Sequence, residues 1–229
     1  MSTDPHAGGR VLTGGAPLPR ARLAIIALHG RGGGAGDMLS LADHLALPDI
    51  AVLAPEAAGR SWWPDSFLAP LAANEPGLSS ALGAVDALAR QLAGEGFGPE
   101  RTIVLGFSQG ACLALEHAAR AGTPFACVAG LSGGLVGTGD GDGDGAPDPA
   151  LYGHRDKMFD YGGALGNTPV LLGCHERDPH IPLARVRKTE EVFTVLGAKV
   201  TTQIYPGGGH GVVEDEINAL RSILNRAPT

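Results

Sequence analysis

Short apolar runs with no polar face alternate along the chain with longer stretches in which apolar residues recur every three or four positions. Residues 23–28, 50–54, 102–106, 125–131, 170–173 and 200–205 are of the first kind and read as strands, several of them apolar on both faces. Such strands suit a parallel sheet covered by helices. Residues 37–47, 78–92, 110–120, 183–196 and 214–225 are of the second kind and read as helices. Over 78–92, Leu78, Leu82, Val85, Leu88 and Leu92 form one stripe while Asp86 and Arg90 fall off it, which predicts a helix lying on the sheet surface. The expected class is α/β, a mostly parallel central sheet with helices on both faces.

One stretch breaks the pattern. Residues 138–149, TGDGDGDGAPDP, cannot hold a helix or strand and read as an exposed loop. The spacing of Asp140, Asp142, Asp144 and Gly145 copies the opening of an EF-hand calcium loop. Position twelve, which needs a bidentate carboxylate, is Leu151, so a solvated acidic loop is the preferred reading.

Length and charge narrow the classes. With 229 residues, 44% hydrophobic, and a mean hydropathy of +0.08, the chain can build one sizeable core and is not disordered. Against 24 acidic residues, 17 Lys and Arg leave no basic surplus for a phosphate backbone, so no nucleic-acid partner is expected. No apolar run approaches the roughly 20 residues of a membrane span; residues 23–28 end at His29-Gly30. Residues 1–10 lack the basic-then-apolar order of a secretory signal. Cys112, Cys127 and Cys174 have no CxxC spacing and lie in apolar stretches, which fits buried thiols in a reducing, cytoplasmic setting.

The chemistry begins where the 102–106 strand runs into Gly106-Phe107-Ser108-Gln109-Gly110 and at once into a helix-like stretch. Gly-x-Ser-x-Gly at a strand-to-helix turn is the pattern of a nucleophile elbow, its glycines demanded by the tightness of the turn. In a chain with 36 glycines the pattern alone is weak, and its context makes it specific. A serine hydroxyl needs a positioned base, itself oriented by a carboxylate. Asp178 follows the 170–173 strand, and His210 follows the 200–205 strand on Pro206-Gly207-Gly208-Gly209. The order Ser108, Asp178, His210 is that of this hydrolase architecture. Backbone N–H groups of Gln109 and of Arg31, in the glycine-rich turn after the first core strand, are the candidate oxyanion donors.

Competing assignments are weaker. A P-loop at 32–36 lacks its Lys-Ser/Thr, and a dinucleotide turn at 30–35 lacks a well-placed acidic residue, Glu56 coming late. His29 reads as a structural hydrogen bonder, His175 and His180 lie too close in sequence to Asp178 to be its ring partner, and Glu176 reads as a solvated charge beside Asp178. No HxxxH or CxxC pair occurs, so no metal and no cofactor is expected. Trp62, Trp63 and Phe67, after the 50–54 strand, are either an apolar wall for the substrate or ordinary core.

LHGRGGGAGDML, GRSWWPDSF, NEPGLSSAL, GFSQGACLAL, GLSGGL, CHERDPHIP and YPGGGHGV together resemble the phospholipase/carboxylesterase family of α/β-hydrolases, which includes acyl-protein thioesterases and small bacterial carboxylesterases. The resemblance covers nearly all of residues 23–224. It implies an α/β-hydrolase fold with little or no lid. The length and the run of elements predict a single domain at 23–229 preceded by an extension and edge strand at 1–22. The resemblance also implies Ser108, Asp178 and His210 as the triad, Arg31 and Gln109 as oxyanion donors, and Leu135 and His180 near the acyl pocket. Phe107, beside the serine, joins Trp62, Trp63 and Phe67 as a candidate substrate contact on the residues alone. The acidic 138–149 loop departs from the family pattern. The function expected is hydrolysis of small-molecule carboxylic esters of small to medium acyl chain. Acyl thioesters or lysophospholipids are alternative substrates, and a non-catalytic binding protein on the same scaffold is an alternative of another class. A homodimer is compatible with the sequence and not required by it.

Overall fold

In the computed structural model, which describes residues 4–139 and 145–227, the strands are β1 (Val11–Gly15), β2 (Leu23–Leu28), β3 (Ile50–Pro55), β4 (Thr102–Phe107), β5 (Cys127–Leu131), β6 (Pro169–Arg177) and β7 (Lys199–Gly208). They form one sheet in the order β1-β3-β2-β4-β5-β6-β7, antiparallel only between β1 and β3. The helices are α1 (Ala35–Asp43), α2 (Gly77–Gly94), α3 (Gln109–Ala121), α4 (Leu183–Val195) and α5 (Glu214–Asn225). The alternation of β2 explains why its strand is apolar on both faces. Ala24, Ile26 and Leu28 enter a core layer with Leu78 and Val85 of α2, Leu113 of α3 and Phe193 of α4. Leu23, Ile25 and Ala27 enter the opposite layer with Met38 of α1 and Leu220 of α5. This is the α/β-hydrolase arrangement. No helix among the described residues is long and apolar enough to cross a membrane.

Several element ends differ from those the hydrophobic pattern predicts. The first helix closes at Asp43, four residues before 47, because Ala46 turns to φ 51° and Leu45 and Ala46 bond back in a tight turn ahead of Pro48. β6 and β7 run on past 173 and 205 to Arg177 and Gly208, with a register shift between His175 and Arg177. Their polar and glycine-rich ends keep ladder pairing that a pattern of apolar residues does not reveal. Asp140, Asp142 and Asp144 of the acidic stretch lie outside the described residues.

The long connection from β5 to β6 is hung on buried polar groups. Glu116 of α3, wholly buried, accepts from Arg120 Nε (2.7 Å), the Val136 N–H (3.0 Å) and the Tyr161 hydroxyl (2.8 Å), with Lys157 Nζ at 3.5 Å. Arg185 of α4, equally buried, donates to the carbonyls of Leu135 (2.8 Å) and Gly137 (2.7 Å) and to Asp156 Oδ1 (2.8 Å). Charges removed from water need such partners, and here nearly every one is met by the connection itself.

A second buried carboxyl lies where α5 rests on β6. A Cβ on Gly173 would come within 1.7 Å of Glu216 Oε1, so any other residue there would have to push the Glu216 carboxyl aside. Glu216 is 1% exposed; its Oε2 accepts the Val213 N–H at 2.8 Å, while Oε1 has no hydrogen-bond partner among the described residues. Burial pushes the carboxyl up to about 7, against the opposing effect of the Val213 N–H. A folded-state pKa above the unfolded one makes its stabilising contribution complete below the ordinary value of 4.5 and lost as pH climbs through about 7. Glu216→Gln keeps the shape and the acceptor without the titration. It is expected to gain on the parent protein between pH 5 and pH 8 by up to about 3 kcal/mol, read from urea unfolding across that range; parallel pH profiles would contradict it.

Candidate active site

The turn from β4 into α3 is made by backbone pressed against backbone. A Cβ at Gly106 would lie 2.0 Å from the Gly110 carbonyl oxygen, and one at Gly110 would lie 2.0 Å from that of Leu28 in β2. Between these glycines Ser108 adopts φ 54° and ψ −120°, a conformation rare for a residue with a side chain. It is held by its N–H to Leu131 O (2.9 Å) and by the Cys112 N–H to its own carbonyl (3.0 Å). Both β2 and β4 end here, at the point where the strand order reverses, the place in an open α/β sheet where a crevice forms.

Two loops at the same rim bring an imidazole and a carboxylate to this serine. His210 Nε2 is 2.8 Å from Ser108 Oγ, and His210 Nδ1 is 2.8 Å from Asp178 Oδ2. The Asp178 side chain is wholly buried and that of His210 is 18% exposed. Asp178 Oδ1 accepts the N–H groups of His180 (2.8 Å) and Ile181 (3.1 Å), and the Cys174 thiol lies 3.8 Å from Oδ2. Burial pushes the Asp178 carboxyl up, but the His210 bond and charge and the two N–H groups together outweigh it and hold the group below the ordinary range. Asp178 is therefore an anion at neutral pH and His210 bridges it to the hydroxyl.

The serine opens into a cavity of about 540 Å³ bounded by Arg31, Trp63, Phe67, Cys112, His180 and Ile181. Another of about 500 Å³, between the N-terminal segment and α2, has similar size but no comparable relay, so chemistry rather than volume singles this one out. Cys112 at its base is no rival nucleophile, since burial pushes its thiol up to about 12. Gly30 packs 3.1 Å, measured from the position of a notional Cβ, from the Ser108 Cβ, which sets the Arg31 turn beside the hydroxyl. Gln109 is the first residue of α3, where N–H groups have no intrahelical acceptor.

The pair of tryptophans divides. Trp63 and Phe67 line the cavity, whereas Trp62 is core: its Nε1–H donates to His29 O (2.8 Å), and its ring lies between those of His6 and His29. Leu135 is fully buried away from the cavity, its N–H and carbonyl engaged by Thr189 and Arg185. Phe107 packs its ring 5.2 Å from that of His210, on the α5 side, and does not line the cavity either. His180 does line it, edge-on to His210 at 4.8 Å. His29 is structural: Nε2 accepts the Ala57 N–H, which leaves the proton on Nδ1 for Gly30 O, and burial lowers its pKa so that the neutral form persists. His175 packs against Tyr205 and under Gly209, and Glu176 is exposed beside Arg177. The pattern of residues did not reveal His6, whose Nδ1 accepts the Ala58 N–H and whose Nε2 therefore donates to Trp62 O (2.8 Å). A lone histidine in a polar N-terminal segment carries no signal for such a role.

Comparison with known proteins agrees with this architecture. Residues 16–141, more than half of the chain, match the family model for phospholipases and carboxylesterases. Acyl-protein thioesterase 1 of Saccharomyces cerevisiae is 25% identical over 93% of this chain and 96% of its own length. The Gibberella zeae protein of the same name is 28% identical over 61% of this chain, and the match spans only 53% of that protein. The crystal structure of a phospholipase/carboxylesterase from Dyadobacter fermentans superposes with a TM-score of 0.85 at 33% identity, covering 99% of both chains. With its fold, its serine elbow and these relatives taken together, the chain belongs to the phospholipase/carboxylesterase family of α/β-hydrolases.

Proposed function

We propose that the protein is a serine hydrolase that cleaves carboxylic esters of small to medium acyl chain through a Ser108-His210-Asp178 triad and an acyl-enzyme. The observation that carries this reading is the unbroken relay from hydroxyl to imidazole to buried carboxylate, 2.8 Å at each step. Ser108 Oγ attacks the ester carbonyl carbon as its proton passes to His210 Nε2. The carbonyl oxygen gathers negative charge facing the N–H groups of Arg31 and Gln109, and the charge of the new imidazolium is balanced by Asp178. Collapse expels the alcohol, which takes the proton from His210. Water then gives a proton to the same nitrogen, attacks the acyl carbon, and releases the acid and free Ser108 Oγ–H. A cavity of about 540 Å³ walled by Trp63 and Phe67 supports short and medium chains, which fill it without a cover. Thioesters are a second reading, favoured by the full-length likeness to a yeast acyl-protein thioesterase; the attack is the same, with a thiol as leaving group.

Ser108→Ala is expected to lower kcat on p-nitrophenyl butyrate by several orders of magnitude with the fold intact, and to abolish labelling by a fluorophosphonate probe. Near-normal turnover by this variant would refute the assignment. Asp178→Asn should leave the geometry in place but favour the wrong imidazole tautomer, costing about 10⁴-fold in kcat with KM little changed; a loss confined to KM would mean that Asp178 contacts substrate instead. A panel of esters and matching thioesters, run on the parent protein, separates the two substrate classes.

A further inference from the structure

The loop that walls the cavity has no regular structure, yet the carbonyl of every residue from 62 to 68 is occupied. His6 donates to Trp62 O, Gln109 Nε2 to Trp63 O (2.9 Å), Arg31 Nη1 to Pro64 O (2.6 Å) and Arg31 Nη2 to Asp65 O. Asn74 donates to Ser66 O (2.8 Å), the Gly137 N–H to Phe67 O (2.6 Å) and the Thr138 hydroxyl to Leu68 O (2.5 Å). The acceptor of the Gln109 amide is also engaged, by the Trp62 N–H at 3.0 Å, so this buried side chain clips the backbone of two neighbouring residues. Two of these donors differ from the rest. Arg31 and Gln109 are the residues whose backbone N–H groups face the reacting carbonyl in the proposed mechanism, and their side chains reach the opposite way, to the wall.

We infer that the side chains of Arg31 and Gln109 are specificity determinants: by clamping residues 62–65 they fix the distance from Ser108 to the Trp63 and Phe67 wall, and that distance sets the longest acyl chain the enzyme turns over well. The inference rests on the serine hydrolase reading. Its physical basis is that each hydrogen bond to an irregular loop removes an alternative position of that loop, and charged and amide donors in two-pronged contacts do so most strictly. With the clamp intact, a chain too long for the gap must displace a wall tied to the oxyanion donors themselves, so overlength substrates disturb transition-state binding and lose kcat as well as affinity. With the clamp cut, the wall yields without moving the backbone donors.

Arg31→Met and Gln109→Met remove the clamping groups while keeping the backbone N–H. The ratio of kcat/KM for p-nitrophenyl octanoate to that for the butyrate is expected to rise at least fivefold in Gln109→Met and two- to threefold in the more exposed Arg31→Met. Rates for all esters falling by one common factor would overturn the inference, since a merely structural or general catalytic role predicts that pattern. A second measurement needs no turnover. Both tryptophans of the chain lie in this loop, so acrylamide quenching of their fluorescence reports it directly, and its slope is expected to rise about twofold in each folded variant. Unchanged quenching in folded Arg31→Met, with the fold checked by circular dichroism, would also overturn it. Ser108→Ala in parallel keeps the two questions apart: retained esterase activity there sinks the serine hydrolase reading, whereas loss of activity there with an unaltered ester ratio in the clamp variants sinks only the clamp.

Discussion

The site depends on one steric fact, the contact of three backbone segments with no side chain between them. The end of β2, the end of β4 and the first turn of α3 meet at Gly106 and Gly110, where any Cβ would overlap a carbonyl oxygen. That contact forces the peptide at Ser108 into a left-handed conformation, a cost of about 1–3 kcal/mol tolerated because the helix and both strands are locked into two large apolar layers. The same contact places the Ser108 hydroxyl at the N-terminus of α3, the positive end of its helix dipole. Widening this junction by one methyl group would move Ser108, the first turn of α3 and the Leu28–Gly30 turn together.

Around this junction the remaining parts differ in how tightly they are held. Asp178 has fixed donors on both oxygens and no freedom to turn away from His210. His210 sits on a glycine-rich loop, its ring in contact with those of Phe107 and His180, which gives the imidazole support while leaving its side chain partly exposed. The connection from β5 to β6 contributes no catalytic group in the proposed mechanism. The buried charges of Glu116 on α3 and Arg185 on α4, to which it is tied, nevertheless keep Gly137 and Thr138 under the wall loop, so a network outside the serine relay holds the floor beneath Phe67 and Leu68.

Much of this was readable from residues in order. Strands apolar on both faces leave little choice but a covered parallel sheet, and the Gly-x-Ser-x-Gly turn, an aspartate after one strand and a histidine after the next pick out the three side chains that the fold brings within hydrogen-bond distance of one another. Periodicity fails where bonding is made by backbone rather than by apolar side chains. The polar ends of β6 and β7 extend the sheet through ladder bonds alone, and the first helix stops at a turn that Ala46 gives no warning of. It fails too for side chains whose partners are distant in sequence. Trp62 and Trp63 look alike in the chain, but alternation sends one into the core and the other to the cavity. Leu135, placed near substrate by family likeness, and Phe107, a candidate contact beside the serine, are taken up by packing that only the three-dimensional arrangement reveals. Glu116 and Arg185 carry no signal of burial in the residue order; their partners in the connection that covers them lie 20 or more positions away.

The state of the three cysteines has a practical side. Cys112, Cys127 and Cys174 are all buried, and burial pushes all three thiols up to about 12, so each is protonated at neutral pH, though Cys112 borders the serine cavity. A cysteine introduced on the exposed surface would be the single reactive sulfur in the molecule. A maleimide dye or a nitroxide could then be attached at one chosen point of the native protein, without first stripping its own thiols.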